Sequence, residues 1–201
     1  MKFNNAYVMT GGIATGKSTV CSLLKRHGFS LIDADVIAKE QLEDSKSELR
    51  EIFGDEIFDG SEINRKKLAN IIFASSEQRE KLNALIHPKV RAEITKQAEL
   101  KEKFELPYLM DIPLFFESGD YDCKMSMVVY TPKDIQLDRL VKREGFTLEE
   151  AKRRVGAQID IEEKKNRADW VVDNSKDLKH LQNEVEKFVD YIREQYDGIK
   201  V

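Results

Sequence analysis

The 201-residue chain is 41% apolar and 35% charged, and its 33 basic and 37 acidic side chains leave a net charge of −4. That balance lacks the basic surplus of a nucleic-acid binder, its two cysteines make neither a disulfide scaffold nor a zinc site, and no apolar run reaches the ~18 residues that span a bilayer. With no apolar leader after Met1-Lys2-Phe3-Asn4-Asn5, a soluble cytoplasmic protein with no membrane or nucleic-acid partner is expected; oligomeric state is not encoded in any feature found.

Ala6-Tyr7-Val8-Met9-Thr10 is a short apolar run that stops at Gly11-Gly12, the pattern of a buried strand and a tight loop. Val20, Leu23 and Leu24 then recur at helical spacing, and Gly28 supplies a terminator. Cys21 lies among them and is expected to pack. Residues 29–32 read as a second strand that closes on Asp33-Ala34-Asp35. From residue 36 to about 104 the pattern is helical and strongly charged, with a turn at Asp59-Gly60 and a capping box at Ser75 and Gln78. Pro88 is expected to break or bend its helix, and no strand is evident in the stretch.

Strand character returns at residues 107–112 and 127–130. Thr131-Pro132 has the order of a cap residue and a first-turn proline. Thr147 and Glu150 form a second capping box, opening a helix rich in Lys and Arg. Residues 170–172 read as the last strand and 177–196 as an amphipathic helix. Strands alternating with helices predict an α/β fold, a parallel sheet with helices on both faces. Ligands of such sheets bind beyond the carboxyl ends of the strands. Gly11, Asp33 and Asp111 sit at or near such ends and are expected to share a cleft.

The strongest local signal is Gly11-Gly12-Ile13-Ala14-Thr15-Gly16-Lys17-Ser18, a full G-x-x-x-x-G-K-[ST] phosphate loop. Its glycines let backbone N–H groups curl toward phosphate oxygens, and the helix that follows adds the positive end of its dipole. Lys17 is expected on the β- and γ-phosphates of ATP, Ser18 on Mg²⁺ and Thr19 beside the α-phosphate. Asp33 has the position of a general base for an attacking hydroxyl, or caps the next helix. If the strand persists, Asp35 points the same way two residues on. Asp111 holds Mg²⁺ or is tied to local N–H groups. Arg139, Lys142, Arg143, Lys152, Arg153 and Arg154 form either a lid over the transferred phosphate or a solvated helix face. His87 contacts a substrate phosphate or simply ends a helix before Pro88.

Taken in order, these residues resemble the dephospho-CoA kinase family. Thr10 to Thr19 is similar to that family's phosphate loop, with Thr15 where serine is common. Asp33-Ala34-Asp35, Phe53-Gly54, Asp59-Gly60, Ile63-Asn64-Arg65, His87-Pro88 and Asp111-Ile112-Pro113-Leu114-Phe115-Phe116-Glu117 resemble its further signatures. So do residues 143–154 and Ala168-Asp169-Trp170-Val171-Val172-Asp173-Asn174. Glu43-Asp44-Ser45 departs from a common Pro-Gly turn.

The resemblance implies a P-loop kinase fold with a helical substrate-binding insertion and a small helical lid. Residues 1–35, 105–134 and 168–201 would form the nucleotide-binding core, 36–104 the CoA domain and 135–167 the lid. It implies phosphorylation of the ribose 3′-hydroxyl of dephospho-CoA by ATP, the last step of coenzyme A biosynthesis. Asp33 would be the base, Arg143 a lid arginine on the transferred phosphate, and Asp35, Arg65 and His87 would serve the acceptor. A nucleoside or nucleoside monophosphate kinase would have nearly the same local chemistry. A GTPase switch is disfavoured, because Asn174-Ser175-Lys176-Asp177 has the wrong order for N-K-x-D and no D-x-x-G occurs.

Overall fold

Strand β1 (Lys2–Gly11) opens the computed structural model, which describes residues 2–119 and 121–196. Residue 1 and residues 197–201, assigned above to the ends of the nucleotide-binding core, lie outside the described residues. Helix α1 (Lys17–Arg26) and strand β2 (Ser30–Asp33) follow. Then come α2 (Ala34–Asp44), α3 (Lys46–Phe53), a 3₁₀ turn (Asp55–Ile57), β3 (Phe58–Asp59), β4 (Glu62–Ile63), α4 (Arg65–Ala74) and α5 (Ser76–Glu102). The chain continues as β5 (Tyr108–Asp111), α6 (Phe115–Ser118), β6 (Asp122–Tyr130), α7 (Lys133–Glu144), α8 (Leu148–Gly156), α9 (Ile161–Arg167), β7 (Trp170–Asp173) and α10 (Leu178–Gln195).

Five strands pair in the order β2-β5-β1-β6-β7, every pair parallel. The central strand explains its own sequence: Ala6 to Met9 are fully buried, as in parallel sheets covered on both faces. On one face Tyr7, Met9, Leu109, Met127 and Val129 meet Val20 and Leu24 of α1 and Val185, Phe188 and Ile192 of α10. Phe188 is fully buried and meets Tyr7 and Trp170 edge-on, at 5.8 and 5.6 Å between ring centres. Burying a ring of that size contributes about 1.5–3 kcal/mol. Trp170 therefore packs against the sheet's covering helix.

The sheet and its helices form one compact unit, and Ala34–Gln97 forms another. The second has its own apolar interior of Leu49, Phe53, Ile57, Phe58, Ile63 and Leu68.

Four local expectations are corrected. A small antiparallel hairpin, β3 with β4, pairs Phe58 with Ile63 and Asp59 with Glu62 where no strand was expected. Two-residue strands carry no period to detect, and it is the burial of Phe58 and Ile63 that holds them. Pro88 does not end its helix: it lies inside α5, which is 27 residues long. The missing N–H costs one hydrogen bond, and the buried Ile86 and Ile94 anchor the helix on either side. The strand does not persist to Asp35, because α2 begins at Ala34, so Asp35 is an exposed residue of the first helical turn. Finally, Thr131 does not cap α7. Pro132 takes the cap position, and the Thr131 hydroxyl is buried against the carbonyls of Thr15 and Asn174, at 3.0 and 3.1 Å.

Candidate active site

The phosphate loop leaves the carboxyl end of β1 and runs straight into α1, where a parallel sheet places its ligands. Gly16 caps α1 with φ +89, a left-handed conformation in which any other L-residue is strained. A Cβ there would also collide with the Asn174 amide. Gly12 has a different reason: its Cβ would come within 2.9 Å of Gln136 Oε1. No described side chain caps α1, and its first turn carries no acidic residue. Its leading N–H groups and dipole are therefore left for an anion. Ser18 and Thr19 are exposed in that turn.

Beneath the loop lies a layer of buried polar side chains. Asn174 Nδ2 donates to the Thr15 carbonyl at 2.7 Å, and the Thr15 hydroxyl donates to the Gly12 carbonyl at 2.8 Å. Arg139 donates to the carbonyls of Ala14 and Asn174, at 3.1 and 3.0 Å. Ala14 needs that support, because it is held at φ 60 without being glycine. Desolvation, then repulsion by Arg143, pulls the Arg139 guanidinium below its usual range. The basic cluster thus splits: Arg139 is half-buried under the loop, and Arg143 is exposed in the last turn of α7. Arg154 lies over the Phe146 ring, 4.2 Å from its centre.

Two carboxylates close the strands on one side of β1, Asp111 on the adjacent β5 and Asp33 on β2 beyond it. Asp111 at the end of β5 is in register with Asp33 at the end of β2. Register partners on adjacent parallel strands project to the same face, and here that face is the one α1 covers. Asp111 is buried: Oδ1 accepts from Lys17 Nζ at 2.5 Å, and Oδ2 accepts from the Cys21 thiol at 3.2 Å. Burial, then the adjacent Asp111 carboxylate, pushes the Cys21 thiol up to about 12, with a smaller push from Asp33. Cys21 therefore stays protonated and donates. It packs in the core as expected, but its bond to Asp111 was not foreseen.

Lys17 and Asp111 are thus joined beside Gly11 to Thr19, with Asp33 on the next strand out in register with Asp111. Among the described residues no group of three His, Cys, Asp or Glu side chains could hold a metal ion by itself. Ser18, exposed next to Lys17, and Asp111, with a second lone pair on each engaged oxygen, are suited to a cation that phosphates also ligate.

The other expected site residues belong to the helical unit, Asp35 on α2, Arg65 on α4 and His87 on α5. Arg65 donates to Glu43 at 2.9 Å, and together with Lys46 it holds the Glu43 carboxyl below its usual range. His87 is exposed.

Several residues escaped the sequence reading. Lys164 has no solvent exposure and donates to Glu117 at 2.8 Å and to the carbonyls of Gly11 and Pro113, both at 3.3 Å. Gln136 Nε2 donates to the Thr131 carbonyl at 2.8 Å, and Gln158 Oε1 accepts from Ile13 N–H at 2.8 Å. Asn174 carried a usable signal, since it follows β7 at the carboxyl edge. A buried lysine in Glu-Glu-Lys-Lys-Asn-Arg carried none.

The family model for dephospho-CoA kinase matches residues 7–180. A dephospho-CoA kinase from Sulfurimonas denitrificans is 54% identical over 196 residues, covering 98% of both chains. The solved dephospho-CoA kinase from Campylobacter jejuni is 34% identical with a TM-score of 0.71, covering 94% of this chain and 98% of its own. TT1252 from Thermus thermophilus, also solved, is 30% identical with a TM-score of 0.79, covering 93% of this chain and 97% of its own. With the family's model and its relatives spanning nearly the whole length, and a phosphate loop set on a parallel sheet, the chain belongs to the dephospho-CoA kinase family.

Proposed function

We propose that this chain transfers the γ-phosphate of ATP to the ribose 3′-hydroxyl of dephospho-CoA, giving ADP and CoA in the last step of coenzyme A biosynthesis. The observation that carries the residue assignment is the register of Asp33 with Asp111, which stand two strands and one strand from the phosphate loop. In this reading Gly11 to Thr19 wrap the phosphates, the loop N–H groups that are not bonded within the protein, as those of Ile13 and Thr15 are, turn toward phosphate oxygens, and the Lys17 ammonium balances charge on the β- and γ-phosphates. Asp33 takes the proton of the 3′-hydroxyl as its oxygen bonds to the γ-phosphorus, and the bond to the ADP oxygen breaks. Asp111 steadies Lys17 by the ion pair described above. Mg²⁺, when bound, screens phosphate charge, and Ser18 with Asp111 are the side chains that would hold it.

Residues 135–167 serve as the lid, with Arg143 placed to neutralise charge on the transferred phosphate. Asp35, Arg65 and His87 serve the acceptor. The setting is the cytoplasm, a reading supported by the free thiols of Cys21 and Cys123. Among the described residues no helix is long and apolar enough to cross a membrane.

ADP release in the presence of Mg²⁺, scanned over dephospho-CoA, nucleosides and nucleoside monophosphates, tests the acceptor. Release with dephospho-CoA alone, with CoA formed, is the expected result. Release with a nucleoside or monophosphate instead would keep the phosphate-loop chemistry and overturn the acceptor.

A further inference from the structure

We propose that Gln158 is a positioning residue for ATP, acting on the phosphate loop from the connection between α8 and α9. The inference rests on reading Gly11 to Ser18 as the ATP site. Ile13 N–H donates to Gln158 Oε1 at 2.8 Å across 145 residues of sequence. Two residues earlier, the Gly11 carbonyl accepts from Lys164 Nζ at 3.3 Å. One short segment therefore grips the loop on both sides of Gly12, once through an acceptor and once through a donor. Gly12 itself lies close to the Gln136 amide, so the entry to the loop is bonded at Gly11 and Ile13 and packed between them.

The segment that does the gripping is itself anchored. Lys164 is buried and ion-paired with Glu117, and Glu117 also accepts from Ile159 N–H at 3.2 Å. Pro113, whose carbonyl takes a bond from Lys164, also accepts from the Thr10 hydroxyl at 2.9 Å. Gln158 thus reaches the loop from a fixed base rather than from a free tip. Turning the Ile13 peptide away would leave a part-buried N–H without its acceptor. Gln158 fixes that peptide, and with it the direction of the N–H groups that follow.

The amide suits this task better than a carboxylate. Glutamine accepts the Ile13 N–H without adding negative charge beside a loop built for phosphate. Gln158→Glu keeps an acceptor and adds that charge; Gln158→Ala removes the acceptor and adds nothing. The two variants therefore separate geometry from charge.

The test measures ATP affinity by calorimetric titration, KM for ATP, KM for dephospho-CoA, kcat and Tm, on the full chain and on both variants. Gln158→Ala is expected to weaken ATP about three- to tenfold, the worth of one hydrogen bond, with KM for dephospho-CoA within twofold and Tm essentially unchanged. Gln158→Glu is expected to weaken ATP further, by a factor that shrinks as salt is raised. Wild-type ATP affinity in both variants would overturn the proposal. So would a fall in Tm with neither KM altered, which would mark a purely structural contact. Tighter ATP binding by Gln158→Ala would overturn it too, since Gln158 would then compete with nucleotide. An unmutated chain that neither binds nor uses ATP would instead remove the reading beneath it.

Discussion

The carboxyl edge of the sheet and the helical unit Ala34–Gln97 solve opposite problems. At the sheet edge, polar side chains are buried and each is matched: Lys164 to Glu117 and two carbonyls, Asn174 to Thr15, Thr131 to Thr15 and Asn174, Gln136 to Thr131. In the helical unit the interior is apolar and most charged pairs lie outside, as Arg50 with Asp55 and Lys67 with Asp59 do. A buried polar group left unmatched costs stability, so a densely matched layer is expensive to assemble. Such a layer is found under the phosphate loop, where backbone direction decides whether N–H groups meet phosphate. The helical unit has one partial counterpart, the buried Ser45, whose hydroxyl accepts from Lys89 at 2.7 Å.

The contrast predicts which substitutions affect chemistry and which affect folding. The largest effect belongs to Asp33→Asn. Turnover should fall by about 10²- to 10⁴-fold, while ATP affinity and Tm stay near those of the unmutated chain. Next is Leu49→Ala, in the fully buried centre of the helical unit. Denaturant unfolding should show a loss of about 2–5 kcal/mol, with ATP affinity unaltered. A large change in ATP affinity would break the division drawn between the two regions.

Asn174→Ala should produce both kinds of effect at smaller size. It removes the donor to the Thr15 carbonyl and opens space against Gly16. A loss of about 1–3 kcal/mol in unfolding free energy should accompany weaker ATP binding. Loss of stability alone would show that the layer under the loop is ordinary core. The smallest effect is expected from Lys67→Ala, which removes an exposed pair with Asp59. Tm should move by no more than about 2 °C.

What could be read in the sequence divides along the same line. The phosphate loop was legible because its chemistry demands particular residues at fixed spacing. The parallel sheet was legible because strands buried on both faces are short apolar runs between helical patterns. Asp33 and Asp111 stood out because each closes a short apolar run at the carboxyl end of a strand, where ligands of a parallel sheet bind. The hairpin at Phe58 to Ile63 was hidden by its shortness, and the passage of α5 through Pro88 by burial at Ile86 and Ile94, which no local propensity registers. Asp35 does not continue the alternation from Asp33, because a helix starting at Ala34 changes the repeat from two to 3.6 residues. Lys164 and Gln158, and the place of Arg139 under the loop, were illegible for a more general reason. Lysine, glutamine and arginine usually face water, and only a fold that carries them to backbone carbonyls or a loop N–H makes them internal struts.

The most direct test follows the label of ATP carrying radioactive γ-phosphate, incubated with the chain, Mg²⁺ and dephospho-CoA, with the products separated and the labelled position determined. The account predicts label on the 3′-position of CoA in equal amount to the ADP formed, and almost none transferred by Asp33→Asn. Label released as inorganic phosphate, carried at another position, or transferred at near-normal rate by Asp33→Asn would contradict it.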